Sequence, residues 1–196
     1  MMPKLFEFNE FLIDEKVNFA KFENEYKIFN NQAQQVGFVK QKLSIKHKIL
    51  QLLINKAMMP FVLDITDSDG KVLLSIKRGW TFWMSKIQII DSNGNILGFI
   101  NQKFKFFKPT FKIINTMGMQ VAEITGDWKA WNFDIKNNNG ISIGLINKKW
   151  AGVMKEIFTT ADKYFVSIKP EYAEDSNKVI ILATAITIDM VLKESK

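Results

Sequence analysis

The sequence predicts a mainly β protein: a twelve-stranded antiparallel barrel of repeated hairpins enclosing a hydrophobic C-terminal helix, with one short amphipathic helix besides. Three observations carry that prediction. Gly70, Gly94, Gly118 and Gly140 stand 24, 24 and 22 residues apart, each at the tip of a polar turn between apolar segments. The same residue types return at fixed offsets from each glycine. Finally, residues 179–192 form one continuous, almost wholly apolar run, VIILATAITIDMVL.

Seven residues before each glycine stand Leu63, Ile87, Phe111 and Phe133, and five before it Ile65, Ile89, Ile113 and Ile135. Positions that share a parity in this way line one face of a strand. The turns DSDG, DSNG, NTMG and NNNG supply the Asn, Asp and Gly that tolerate tight hairpins. Three residues on come Leu73, Leu97, Val121 and Ile143, and six on Ile76, Ile100, Ile124 and Ile146. Ten on there is always a large aromatic: Trp80, Phe104, Trp128 or Trp150. The residues four on, Leu74, Gly98, Ala122 and Gly144, are mostly small, as expected where a strand bends or a central helix needs room.

A degraded fifth copy lies upstream, with Tyr26, Ile28, Val36, Gly37 and Val39 at the required offsets and Ala33 in place of the turn glycine. Five hairpins and two further strands, near Phe11 to Ile13 and Tyr164 to Ile168, make twelve. Units of 22 to 24 residues are too short for propeller blades, which need roughly 40. They are therefore hairpins of one sheet, and closing that sheet removes its exposed edges. Residues 43–55 carry apolar positions mostly at three and four spacing, which predicts the amphipathic helix. The run at 179–192 would make a helix of about 21 Å, against a bilayer core of about 30 Å, and it carries Asp189. It is read as a core helix, with Asp189 a paired structural group near the barrel mouth.

At 196 residues and 47% hydrophobic, the chain has material for one sizeable core, so residues 1–196 are read as one domain. With no cysteine there is neither a disulfide nor thiol chemistry, which suits a reducing compartment. The N-terminus has no charged region leading into an apolar run, so export is not expected and a cytoplasmic location is. The single histidine, His47, has no histidine or cysteine to join it in a metal site. The phosphate-cradling glycine loop, nucleophile elbow and metal-ligand spacing of common enzymes are all missing, so no enzyme activity is expected.

A net charge of +7 suits an acidic partner surface. Lys77, Arg78, Lys86, Lys103, Lys105, Lys108 and Lys112 stand close together, with only Asp91 against them. Beside Trp80, Trp83 and Phe107 they could hold phospholipid headgroups while the aromatics enter the interface. Nucleic acid is disfavoured, because a single arginine leaves almost no bidentate recognition. The alternative is a protein-interaction scaffold whose lysines reflect an AT-rich genome and a solvated outer face.

The segments TTADKYFVSIKP (159–170), KVIILATAITIDMVLKE (178–194) and GDWKAWNFDI resemble the phospholipid scramblase family, which groups with the Tubby C-terminal and LURP-one-related domains. The resemblance runs from about residue 61 to 194. It implies the same helix-filled barrel and a non-enzymatic, peripheral phospholipid-binding role at the inner membrane surface. The cysteine-rich palmitoylation stretch and proline-rich arm of animal scramblases are absent. Of the acidic calcium segment that precedes their terminal helix, Asp162 is kept, but Lys163 and Ser167 stand where further ligands would be sought. Calcium needs six to eight oxygens, so Asp162 is a weak candidate and no cofactor is expected.

Overall fold

The computed structural model describes residues 3–16, 25–42, 58–80, 86–103, 108–127, 129–148, 163–172 and 176–193. The strands are β1 (Glu10–Lys16), β2 (Glu25–Asn30), β3 (Gln35–Lys42), β4 (Phe61–Asp67), β5 (Val72–Arg78), β6 (Lys86–Asp91), β7 (Ile96–Lys103), β8 (Thr110–Asn115), β9 (Gln120–Asp127), β10 (Asn132–Asn137), β11 (Ser142–Asn147) and β12 (Lys163–Ile168). Each pairs antiparallel with its sequence neighbours, and β12 pairs with β1 to close the ring. The barrel is thus a meander without a free edge. The helix expected over 43–55 lies outside the described residues.

The five hairpins repeat at atomic detail. Asn30, Asp67, Asp91, Asn115 and Asn137 each open a turn and accept, through the side-chain oxygen, the backbone N–H groups two and four residues on, at 2.8 to 3.1 Å. The last loop residue is left-handed every time, with φ of 83°, 89°, 79° and 77° at the four glycines and 60° at Ala33. A type I turn closed by one left-handed residue needs this conformation, so the upstream copy is a true repeat despite losing its glycine.

In every hairpin the register then slips by one residue: Ile65 faces Leu74 while Thr66 faces Val72, and Ile89 faces Gly98 while Ile90 faces Ile96. The bulged residues are Val36, Leu73, Leu97, Val121 and Ile143. This is why the apolar residue three after the turn breaks the alternation with the isoleucine six after it. The bulge turns it back against the core. The small residue beside it answers chiefly to the next strand. A Cβ on Gly98 would stand 2.6 Å from the Ile114 carbonyl oxygen and 3.1 Å from Ile180 Cδ1, so both reasons for a small residue meet there.

All five turns lie at one end of the barrel, the turn end. The other six connections lie at the opposite end, the loop end. The helix α1 (Lys178–Lys193) enters at the turn end, where Lys178 Nζ donates to Asn9 Oδ1 at 2.6 Å and to the Glu7 carbonyl at 3.3 Å. Its residues from Ile180 to Leu192 are buried on every side and share one core with the inward side chains of the strands. A short 3-10 helix, Lys4–Glu7, adds Leu5 and Phe6 to that core at the turn end, a plug the hairpin template does not predict.

The polar side chains of the helix find partners inside the barrel. Thr184 and Thr187 donate to the carbonyls of Ile180 and Ala183 one turn back, at 2.7 and 2.8 Å. Tyr26 donates its hydroxyl to Asp189 at 3.2 Å, and Tyr164 donates to the carbonyl of Ile186. Burial, then the negative charge of Asp189, raises the ionisation of both phenols well above the ordinary tyrosine value. The folded state therefore keeps two protons that the unfolded chain releases once the pH passes about 10, so stability falls with rising pH above that point. We expect Tyr26 and Tyr164 to ionise only as the barrel unfolds, so that in a Tyr172→Phe background tyrosinate absorbance and loss of near-ultraviolet circular dichroism rise together in an alkaline titration.

Candidate functional site

Strand polarity decides which basic residues meet. β5 and β7 end, and β6 and β8 begin, at the loop end, which brings Lys77, Lys86, Lys103 and Lys108 to one arc of that rim. All four are exposed, and no carboxylate among the described residues pairs with them. Lys86 reaches sideways, its ammonium 4.1 Å from the centroid of the Phe99 ring. Trp80, just past the end of β5, is 54% exposed.

Between β3 and β6 the rim is hollowed into a groove of about 410 Å³. Pro60, Phe61 and Val62 form its apolar wall, with Lys42, Lys77 and Lys86 around it and Arg78, Gly79 and Gln88 completing the lining. The pairing shows how the lysines are set: Lys42 faces Val62, Val62 faces Lys77 and Lys77 faces Gln88 in one cross-strand row. Lys42 is ion-paired to Asp64, whose carboxylate is buried and also accepts from Ser75 Oγ at 2.7 Å. The carboxylate is thus neutralised, and the exposed cations left to the groove are Lys77 and Lys86.

Arg78 also lines the groove, with its side chain turned inward. Adjacent residues of a strand face opposite sides, and with Lys77 outward Arg78 points into the barrel mouth, 5% exposed. Its Nε and Nη2 donate to the Met59 carbonyl at 3.2 and 2.7 Å, and its guanidinium stacks 4.4 Å from the centre of the Phe61 ring. Its guanidinium is committed to holding the wall of the groove. Lys112 lies farther from the rim, half-buried and 4.0 Å from Glu123. Lys105, Trp83, Phe107, Asp162 and His47 lie outside the described residues. Among the described residues no group of acids or histidine is placed to hold a metal ion, and no helix is long and apolar enough to cross a membrane.

Lys42 was missed by a reading that looked for charge density along the chain, since its partners come from β4, β5 and β6. The alternation of Lys40 and Lys42 with Val39 and Gln41 in the degraded hairpin is the signal that would have found it.

The fold and rim define a class: a closed β-barrel filled by its own terminal helix, with an exposed cationic arc at one mouth. Compared with known families, the sequence matches the scramblase family over residues 10–195, nearly the whole chain, and the protein belongs to that family. No curated protein and no solved structure matches it.

The contrast between neighbours is testable. Arg78→Lys keeps the charge but loses the paired hydrogen bonds and the planar stack, so it should cost about 1–3 kcal/mol in urea unfolding. Lys77→Glu, on the exposed side, should stay within about 0.5 kcal/mol of the parent.

Proposed function

We propose that the protein docks on anionic phospholipid surfaces through its loop end, without bond chemistry, as a peripheral module of the inner membrane surface. The observation that supports this best is the convergence of Lys77, Lys86, Lys103 and Lys108 on one rim beside exposed Trp80. Each lysine near an anionic membrane contributes about 1 kcal/mol, and an aromatic at the rim adds an anchor at headgroup depth. Lys105, Trp83 and Phe107 belong to the same two connections by sequence.

In this reading the groove receives one headgroup. Its volume suits a small polar ligand, its cations answer a phosphate, and its Phe61 and Val62 wall accepts the glycerol portion. Arg78 positions that wall and is not itself a ligand. Membership of the scramblase family favours a membrane role in general. A helix that fills the barrel leaves no evident path for a headgroup through it, which favours binding over scrambling while the helix is in place. The basic charge alone does not favour a protein scaffold, and a scaffold would not need its lysines gathered at one mouth.

The test is flotation with vesicles. Neutral vesicles should leave the protein behind and phosphatidylserine-containing ones should carry it up at low salt, with binding falling steeply as salt rises. Lys77→Glu with Lys103→Glu should abolish flotation while unfolding stays unchanged. Flotation that ignores both salt and these lysines would end the reading.

A further inference from the structure

The groove at the loop end discriminates through what its lining lacks. Among the described residues around it every charged side chain is basic, Lys42, Lys77, Arg78 and Lys86, and none is acidic. Choline, ethanolamine and serine headgroups each bring an ammonium, which needs a carboxylate or the open face of an aromatic ring. Asp64 lies two positions from Val62 on the same face of β4, but it is already held by Lys42 and by Ser75 Oγ at 2.7 Å. Phe61, the one ring of the described lining, carries the Arg78 guanidinium 4.4 Å from its centre and is only 3% exposed, so it has no open face to give. An ammonium brought here would stand unpaired beside Lys77 and Lys86.

What the lining does offer is donors. Lys77 and Lys86 are exposed without a carboxylate partner among the described residues. Gln88 faces Lys77 across the strands and shares its face of β6 with Lys86, so an amide NH2 group stands between two ammonium groups. A phosphomonoester is the complement of this set. Its terminal phosphate has three accepting oxygens, carries about 1.5 to 2 negative charges at pH 7 and brings no cation. A phosphodiester has two such oxygens and a single charge. We propose that the groove is a phosphomonoester site, in which Lys77, Lys86 and Gln88 hold the terminal phosphate while Pro60 and Val62 lie against the carbon skeleton that bears it. The inference rests on docking at the loop end for a lipid as the bearer, namely a glycerophospholipid whose headgroup is a bare phosphate. Free glycerol phosphate presents the same chemistry without a membrane.

The probes are glycerol 3-phosphate, a monoester, and two diesters, glycerophosphoglycerol without an ammonium and glycerophosphoserine with one. Backbone amide resonances of Val62, Lys77, Gly79 and Gln88 should shift saturably with glycerol 3-phosphate, at a Kd about tenfold below that of either diester. Lys77→Gln with Lys86→Gln should erase that difference at unchanged thermal stability, whereas Lys108→Gln, on the rim but outside the groove, should keep it. Flotation on vesicles of matched surface potential, containing phosphatidic acid or phosphatidylglycerol, separates the two sources. Stronger flotation with phosphatidic acid makes the lipid the bearer, and equal flotation with the amide shifts intact makes it a free monoester. Unshifted amides, or equal affinity for monoester and diesters, would overturn the proposal, and salt-sensitive flotation on both vesicles would then leave docking at the loop end standing without it. Flotation on neither vesicle with the shifts intact would instead sink the docking and leave the phosphomonoester site.

Discussion

A ring of twelve strands encloses more space than its own inward side chains can fill, and the C-terminal helix fills it. Everything else in the molecule answers to that. The helix can be apolar all round because no face of it meets water, and an inner wall lined with isoleucine and phenylalanine is its complement. Each fully buried aliphatic side chain contributes about 1.5–3 kcal/mol, and the helix brings many at once. A buried helix must also satisfy its polar groups from within. Lys178 does so at the entrance through Asn9 and Glu7, and Tyr26 and Tyr164 do so deeper in the barrel through Asp189 and the Ile186 carbonyl.

The same closure gives the barrel two unlike ends. The turn end is made by five copies of one device, an Asn or Asp capping a left-handed turn, followed by a bulge that folds an aliphatic residue over the core. It is compact and leaves only tips to vary. The loop end is made by the other six connections, and there Lys77, Lys86, Lys103 and Lys108 collect. Because both ends are anchored to one rigid cylinder, the chemistry of each is held at a fixed distance from the other, about 20–25 Å for strands of this length.

Much of this was legible in the sequence, and for a definite reason. A repeat forces each copy to reveal the others, so the strand pairs, the turn positions and even the copy with Ala33 could be read from offsets alone. The bulges could not be read as such. Leu73 and Ile76 were both recognisably apolar, but the register slip that reconciles them is a property of the paired strand. For the site, linear charge density found Lys77, Lys86, Lys103 and Lys108, because strand ends that are near in sequence share a rim. It could not separate Lys77 from Arg78, whose opposite directions follow from strand parity, and it passed over Lys42, which reaches the groove across β4.

Amide hydrogen exchange of α1 tests the central claim most directly. If the helix is held inside a closed barrel, its amides should exchange only through global unfolding, with the same free energy and the same denaturant dependence as the slowest amides of β5 to β8. Helix amides that exchange by a smaller opening, while the strands remain protected, would mean that the barrel stands without its helix and would contradict the account.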